Sequence, residues 1–275
     1  KTFYRCYECG KVMHVKCADQ LNDTKSLSYE TRNSCPMCRA PIAPPGSKED
    51  IERLQKWSSL GKSWAQFKLG TLYQQGLGVK KDPKRAAKLY ILAANRNHHQ
   101  AQYNLATMYT DGEGVVQSDQ LAFKFYKQSA DQGHADAQLI VGNYYRNGKG
   151  VEQSDSEACR YYKLAAGQGN GDAQCNLGGM YAYGRGVIQS DTLSFKYFQL
   201  SAAQGCAEAQ GKVGKCYDQG KGIEQSNTEA FKYNKLAADQ GHHEAQYCLG
   251  NMYETGEGVI QSDELAFKYY KLSRI

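Results

Sequence analysis

No stretch of this 275-residue chain approaches the ~20 consecutive apolar residues that a membrane-spanning helix needs. Charge of one sign does not dominate either. The net charge is +6, and residues 1–56 carry ten Lys and Arg against seven Asp and Glu. So small a basic bias gives no argument for nucleic acid. No nucleophile recurs beside a base, so nothing marks a catalytic constellation. Proline is scarce, with five in the chain, and Pro41, Pro44 and Pro45 join Gly46 in one stiff break. The first residue is Lys1 rather than Met, and the chain is expected to be a fragment.

A disulfide framework is also missing, although there are ten cysteines. Cys159, Cys175, Cys206, Cys216 and Cys248 are scattered at non-equivalent positions. They read as small apolar substitutions in a reducing compartment, cytoplasmic or nuclear. The other five lie among the first 38 residues, mostly in pairs.

Those five, with one histidine, carry the first signal. Cys6, Cys9, His14, Cys17, Cys35 and Cys38 read C-x-x-C-x4-H-x-x-C-x17-C-x-x-C. Two-residue spacers let both thiolates of a pair reach one tetrahedral zinc from a tight turn. Four such ligands close one structural site, so six leave a second site half made.

This pattern resembles the last three ligand pairs of a RING finger, or of its RING-variant relative with His as the fifth ligand. The resemblance covers residues 3–43 and includes Cys35-Pro36-Met37-Cys38-Arg39. It implies a cross-brace, with Cys6, Cys9, Cys35 and Cys38 on one zinc. His14 and Cys17 would share a second zinc with a pair ahead of Lys1. It also implies a ubiquitin-ligase type of protein with no nucleophile of its own. Pro36 would face a ubiquitin-conjugating enzyme. Arg39 would donate hydrogen bonds to that enzyme and to ubiquitin, a job suited to a planar guanidinium. The usual Trp between the sixth and seventh ligands is absent, which leaves a purely structural zinc fold as an alternative. Two others stay open. A zinc knuckle would bind single-stranded nucleic acid but spaces its His and last Cys differently. A histone-reading PHD finger carries an aromatic residue where this chain has Asn33.

The second signal is a period. Gly-x-Gly followed by an apolar residue occurs at Gly76, Gly112, Gly148, Gly184, Gly220 and Gly256, always 36 residues apart. Six copies begin at Ala65, Ala101, Ala137, Ala173, Ala209 and Ala245. A fixed period of this length means a stacked repeat architecture. Each copy reads as two antiparallel helices. Positions 0, 4, 5 and 8 of a copy, such as Ala101, Leu105, Ala106 and Tyr109, fall on one helical face. Gly or Ala at position 5 admits the partner helix closely, and Gly-x-Gly supplies positive φ at the helix end. Ser118-Asp119, Ser154-Asp155, Ser190-Asp191 and Ser262-Asp263 cap the second helix. Aromatics follow at Phe125, Tyr161, Tyr197, Tyr233 and Tyr269, and Gln-Gly turns the chain into the next copy.

These residues resemble the Sel-one-like repeat, a relative of the tetratricopeptide repeat, over 65–275. The resemblance implies an all-α fold, a right-handed α-solenoid of six two-helix repeats, here preceded by the small zinc-binding module. It also implies a scaffold for protein complexes. The domains are therefore expected as 1–43 for the zinc module, 44–64 for a linker and capping helix, and 65–275 for the repeats. Ser47 with Asp50 resembles a capping box ahead of that helix. The last copy stops at Ile275 without a polar cap, so a further repeat or capping helix is expected beyond it.

A partner groove is expected on the first-helix face opposite the packing stripe. It carries Lys68, Asn104, Asn143, Asn147, Asn176, Tyr183, Lys212, Lys215 and Asn251, which suit a peptide backbone or its acids. Substrate or adaptor peptides would bind there. The histidines of the inter-repeat turns, among them His98, His134 and His242, read as turn packing rather than metal ligands.

Overall fold

A computed structural model describes residues 3–5, 12–14 and 43–273 of the chain. Two compact units divide it, residues 1–89 and 90–275.

In the first unit, β1 (Phe3–Arg5) pairs antiparallel with β2 (Val12–His14), Phe3 opposite His14 and Arg5 opposite Val12. Helix α1 (Lys48–Ser59) follows the proline break, then α2 (Ser63–Gln75) and the start of α3 (Pro83–Ala94). Ser47 caps α1, its Oγ accepting from Asp50 N at 3.2 Å. Asp50 completes the box one residue early. Its Oδ2 accepts from Gly46 N at 3.0 Å rather than from the cap residue itself. Helix α1 packs on α2. Trp57 lies 6.2 Å from Trp64, and Gln66 Nε2 donates to Ser58 O at 3.3 Å.

The second unit is a stack of helix pairs. They are α4 (His99–Asp111) with α5 (Asp119–Asp131), α6 (Ala135–Asn147) with α7 (Asp155–Gly167), and α8 (Gly171–Tyr183) with α9 (Asp191–Ala202). Then come α10 (Ala207–Gln219) with α11 (Asn227–Asp239), and α12 (His243–Thr255) with α13 (Asp263–Leu272). Each helix packs chiefly on its neighbours in chain order. No strand occurs among the described residues of the repeats. The architecture is an α-solenoid, with a core distributed along it rather than gathered at one centre.

The sequence dictates each step of the repeat. The first helix ends on a left-handed glycine, such as Gly148 at φ 66°. The second glycine of the step is required for close approach as well. A Cβ on Gly150 would lie 2.3 Å from Asp119 O of the preceding copy. The serine caps form, Ser118 Oγ accepting from Leu121 N at 3.3 Å. Ser226, which lacks the Ser-Asp signature, caps α11 in the same way through Glu229 N.

Between the two helices of a copy an aromatic pair stacks. Tyr109 and Phe125 lie 5.8 Å apart at 2°, Tyr181 and Tyr197 5.7 Å at 1°, and Tyr253 and Tyr269 5.6 Å at 7°. Such pairs contribute about 1 kcal/mol each beyond their buried area. Position 5 is small because the next ring sits on it: a Cβ on Gly142 would come 2.5 Å from the Tyr162 ring. Val151, Val187, Ile223 and Val259, after the Gly-x-Gly steps, pack against the core between helices.

Candidate partner-binding site

Three histidines and one asparagine cap the starts of four first helices. His98 Nδ1 accepts from Ala101 N at 3.3 Å, His134 Nδ1 from Ala137 N and His242 Nδ1 from Ala245 N, each at 3.2 Å. Asn170 Oδ1 does the same for Ala173 N at 2.9 Å, while Cys206 makes no side-chain cap bond. The turn histidines are therefore helix caps, and capping requires the unprotonated Nδ1. No group of three or more His, Cys, Asp or Glu among the described residues could hold a metal ion.

The expected groove residues divide into three sets. Some serve the repeat itself. Asn143 Oδ1 accepts from Tyr162 Oη at 2.7 Å, and Asn251 Oδ1 from Tyr270 Oη at 2.5 Å. Asn104 Nδ2 donates to Tyr90 Oη at 3.2 Å. These amides brace the second helices, each through one of its two polar atoms.

A second set converges. Asn176, Tyr183, Lys212 and Lys215 line one groove of about 380 Å³ formed by α8 and α10, which Arg146 of α6 also reaches. Arg146 Nη1 donates to Asn176 Oδ1 at 3.0 Å. Lys212 and Lys215 each place Nζ 3.3 Å from a carboxylate oxygen of Glu244, on the next repeat. Burial works to raise the Glu244 carboxyl, but the two lysines outweigh it and hold it below the usual range. Tyr183 stands 76% exposed at the rim. Lys215 and Asn251 also border a smaller neighbouring hollow of about 270 Å³.

The third set stands apart. Lys68 is exposed on α2, in the first unit, and Asn147 is exposed at the end of α6. Sequence reasoning missed Arg146, Arg185 and Lys221 as groove residues, because they lie at or beyond helix ends rather than on the periodic stripe.

Cys159 and Cys175 are buried, and burial pushes the Cys175 thiol up to about 12, far from reactivity.

Of the proposed zinc ligands, Cys6, Cys9, Cys17, Cys35 and Cys38 lie outside the described residues, as do Pro36 and Arg39. The backbone of His14 closes β2 opposite Phe3.

Ten successive helices in paired, 36-residue register make the second unit a helical-repeat protein. The Sel1 repeat profile matches residues 65–98, 99–134, 135–170, 171–206, 207–242 and 243–273, and the chain belongs to that family. Among solved structures it is similar to c5321, a protective antigen of uropathogenic Escherichia coli strains displaying an SLR fold. The identity is 30% and the TM-score 0.76, over 82% of this chain and 48% of that one. This chain thus spans about half the antigen's length. It is also similar to a Sel1 repeat protein from Oxalobacter formigenes, at 27% identity and TM-score 0.71 over 84% of this chain and 97% of that one. No curated protein matches the chain.

Proposed function

We propose that this chain is a protein-interaction scaffold whose first-helix face binds a substrate or adaptor. The observation that carries the reading is the groove on α8 and α10, where Asn176, Tyr183, Lys212 and Lys215 converge on a repeat array. Stacked repeats offer extended surfaces of this kind for peptides. Selecting a random peptide display library on the full chain tests it. Enriched sequences that protect the first helices support the scaffold, and a library that yields none contradicts it.

The finer part of the proposal gives residues 1–43 to a RING-type module in the cytoplasm or nucleus. Cys6, Cys9, Cys35 and Cys38 would hold one zinc, with His14 and Cys17 contributing to a second. Ligand spacing supports this. Bound zinc would supply structure, not chemistry. Pro36 and Arg39 would face the conjugating enzyme. The test is ubiquitin-chain formation by the full-length protein across a panel of conjugating enzymes. Activity lowered by Arg39→Ala, with zinc content retained, supports the ligase. Silence across the panel with zinc bound assigns the module a structural or docking role.

A further inference from the structure

Copy four lacks a side-chain pair that three other copies carry, and copy five, with Lys215 and Asn234 at those positions, lacks it too. In copies two, three and six, a second-helix tyrosine hydroxyl bonds a first-helix side chain. Tyr126 meets Thr107 at 2.9 Å, Tyr162 meets Asn143 at 2.7 Å and Tyr270 meets Asn251 at 2.5 Å. The equivalent residues of copy four are Phe198 and Gly179. The hydroxyl and its partner are both gone, and a Cβ on Gly179 would meet no atom within 4 Å.

That double change opens the groove of about 380 Å³. Its floor is apolar, formed by Gly179, Met180 and Phe198. Its walls carry Arg146, Arg185, Lys212, Lys215 and Lys221 against only Asp191 and Glu208. The volume is near the lower end of ligand pockets, ~300–1,000 Å³, enough for one or two side chains.

The cations are spread over three successive copies rather than aimed at one point. A single small anion cannot meet them together, but an extended chain can. An extended strand rises ~3.3 Å per residue and packed helices stand ~8–10 Å apart, so successive copies are met about every third residue. A carboxylate that borders the neighbouring hollow already sits on two of these lysines. Glu244, whose side chain is 51% exposed, reaches back between Lys212 and Lys215. An exposed ion pair of this kind is worth little and is readily displaced.

We propose that this groove binds an extended acidic peptide of the form Glu-x-x-Leu-x-x-Glu. The leucine seats over Gly179 and the Phe198 ring. The flanking carboxylates are met by Arg146 on one side and by Lys212 and Lys215, in place of Glu244, on the other. The proposal rests on the scaffold reading and deepens it by naming the ligand chemistry.

Fluorescence anisotropy on the full chain tests it, with a labelled peptide of that pattern. The comparison ligands replace Glu by Lys, replace Leu by Ser, or are single-stranded RNA of equal charge. The first peptide is expected to bind at least tenfold more tightly than the others, and to weaken as salt is raised. Gly179→Asn installs the side chain that copies three and six carry. The site is open and mid-helix, so the melting temperature should hold or rise. Binding should fall at least tenfold. Lys212→Glu with Lys215→Glu should abolish it. Binding unchanged by Gly179→Asn, or matched by the lysine peptide or by RNA, overturns the proposal. If no acidic peptide binds but a display library yields others that protect the first helices, this inference fails and the scaffold stands. If the library also yields none, both fail.

Discussion

Gln168 Nε2 donates to Gln138 Oε1 at 2.7 Å across 30 residues, and Gln138 Nε2 in turn donates to Ala130 O at 3.1 Å. The same relay recurs. Gln132 bonds Gln102 at 2.6 Å, while Gln204 bonds Gln174 and Gln240 bonds Gln210, each at 2.8 Å. Each buried glutamine at a first-helix start joins the preceding second helix to the turn that ends its own copy. In copy one, Gln66 Nε2 donates to Ser58 O at 3.3 Å, but Gln66 Oε1 has no partner, and Arg96 stands where the other copies place the second glutamine.

Gln138→Leu removes two hydrogen bonds, though Ala130 O keeps its bond from Gly133 N and Gln168 is open to water, and should cost about 1–2 kcal/mol. Gln66→Leu breaks a relay that is already half open and should cost about half as much. Urea unfolding midpoints of the two variants check this, and equal losses would count against the relay.

Glycines within the first helices should respond in opposite directions to the same substitution. Gly142→Ala drives a methyl to 2.5 Å from the Tyr162 ring and should destabilise by about 1–3 kcal/mol. Gly179→Ala meets open space and should stabilise by up to ~1 kcal/mol through helix propensity. Thermal melts of the pair read the contrast directly.

Cys206 occupies a cap position without a cap bond. Cys206→Asn should restore what Asn170 supplies, which also donates from Nδ2 to Asp136 Oδ1 at 3.1 Å. Asp172 stands at the position matching Asp136. A gain of about 0.5–1 kcal/mol in unfolding free energy is expected.

Stability should fall with acid through the histidine caps. Burial, and then the neighbouring His99, lower the His98 pKa to about 4. Its folded value lies below the ordinary ~6.5, so the cap's contribution is full above that pH. It is lost progressively as pH falls from ~6.5 to about 4, by about 1 kcal/mol once solvent screening is allowed for. His134 is lowered too, mainly by burial, and acts in the same direction. His98→Asn keeps a cap acceptor that does not titrate, so its melting temperature should fall less between pH 6.5 and 4.

The repeat was legible in the sequence because its period fixes helix ends and packing faces together. Ala101, Gly142 and the Tyr181–Tyr197 stack all sit where periodicity puts them. The glutamine relay was not legible, because a polar residue is buried only if a partner 30 residues away accepts it. The histidine caps were hidden by residue type, since imidazole is not a customary cap. Asn143 and Asn251 read as groove residues by position, and their bonds to tyrosines of the facing helix were not legible. The groove itself arises from two residues that lack something, Gly179 and Phe198, and such a vacancy shows only when facing positions are compared. The cysteine cluster was the plainest motif of all, and its thiols lie outside the described residues.

The most direct test of the scaffold account is hydrogen exchange across the full chain with a library-selected peptide bound. Protection should concentrate in the first helices, strongest in α8 and α10 around Asn176 and Lys212. Protection confined to the second helices α7, α9 and α11 would contradict it.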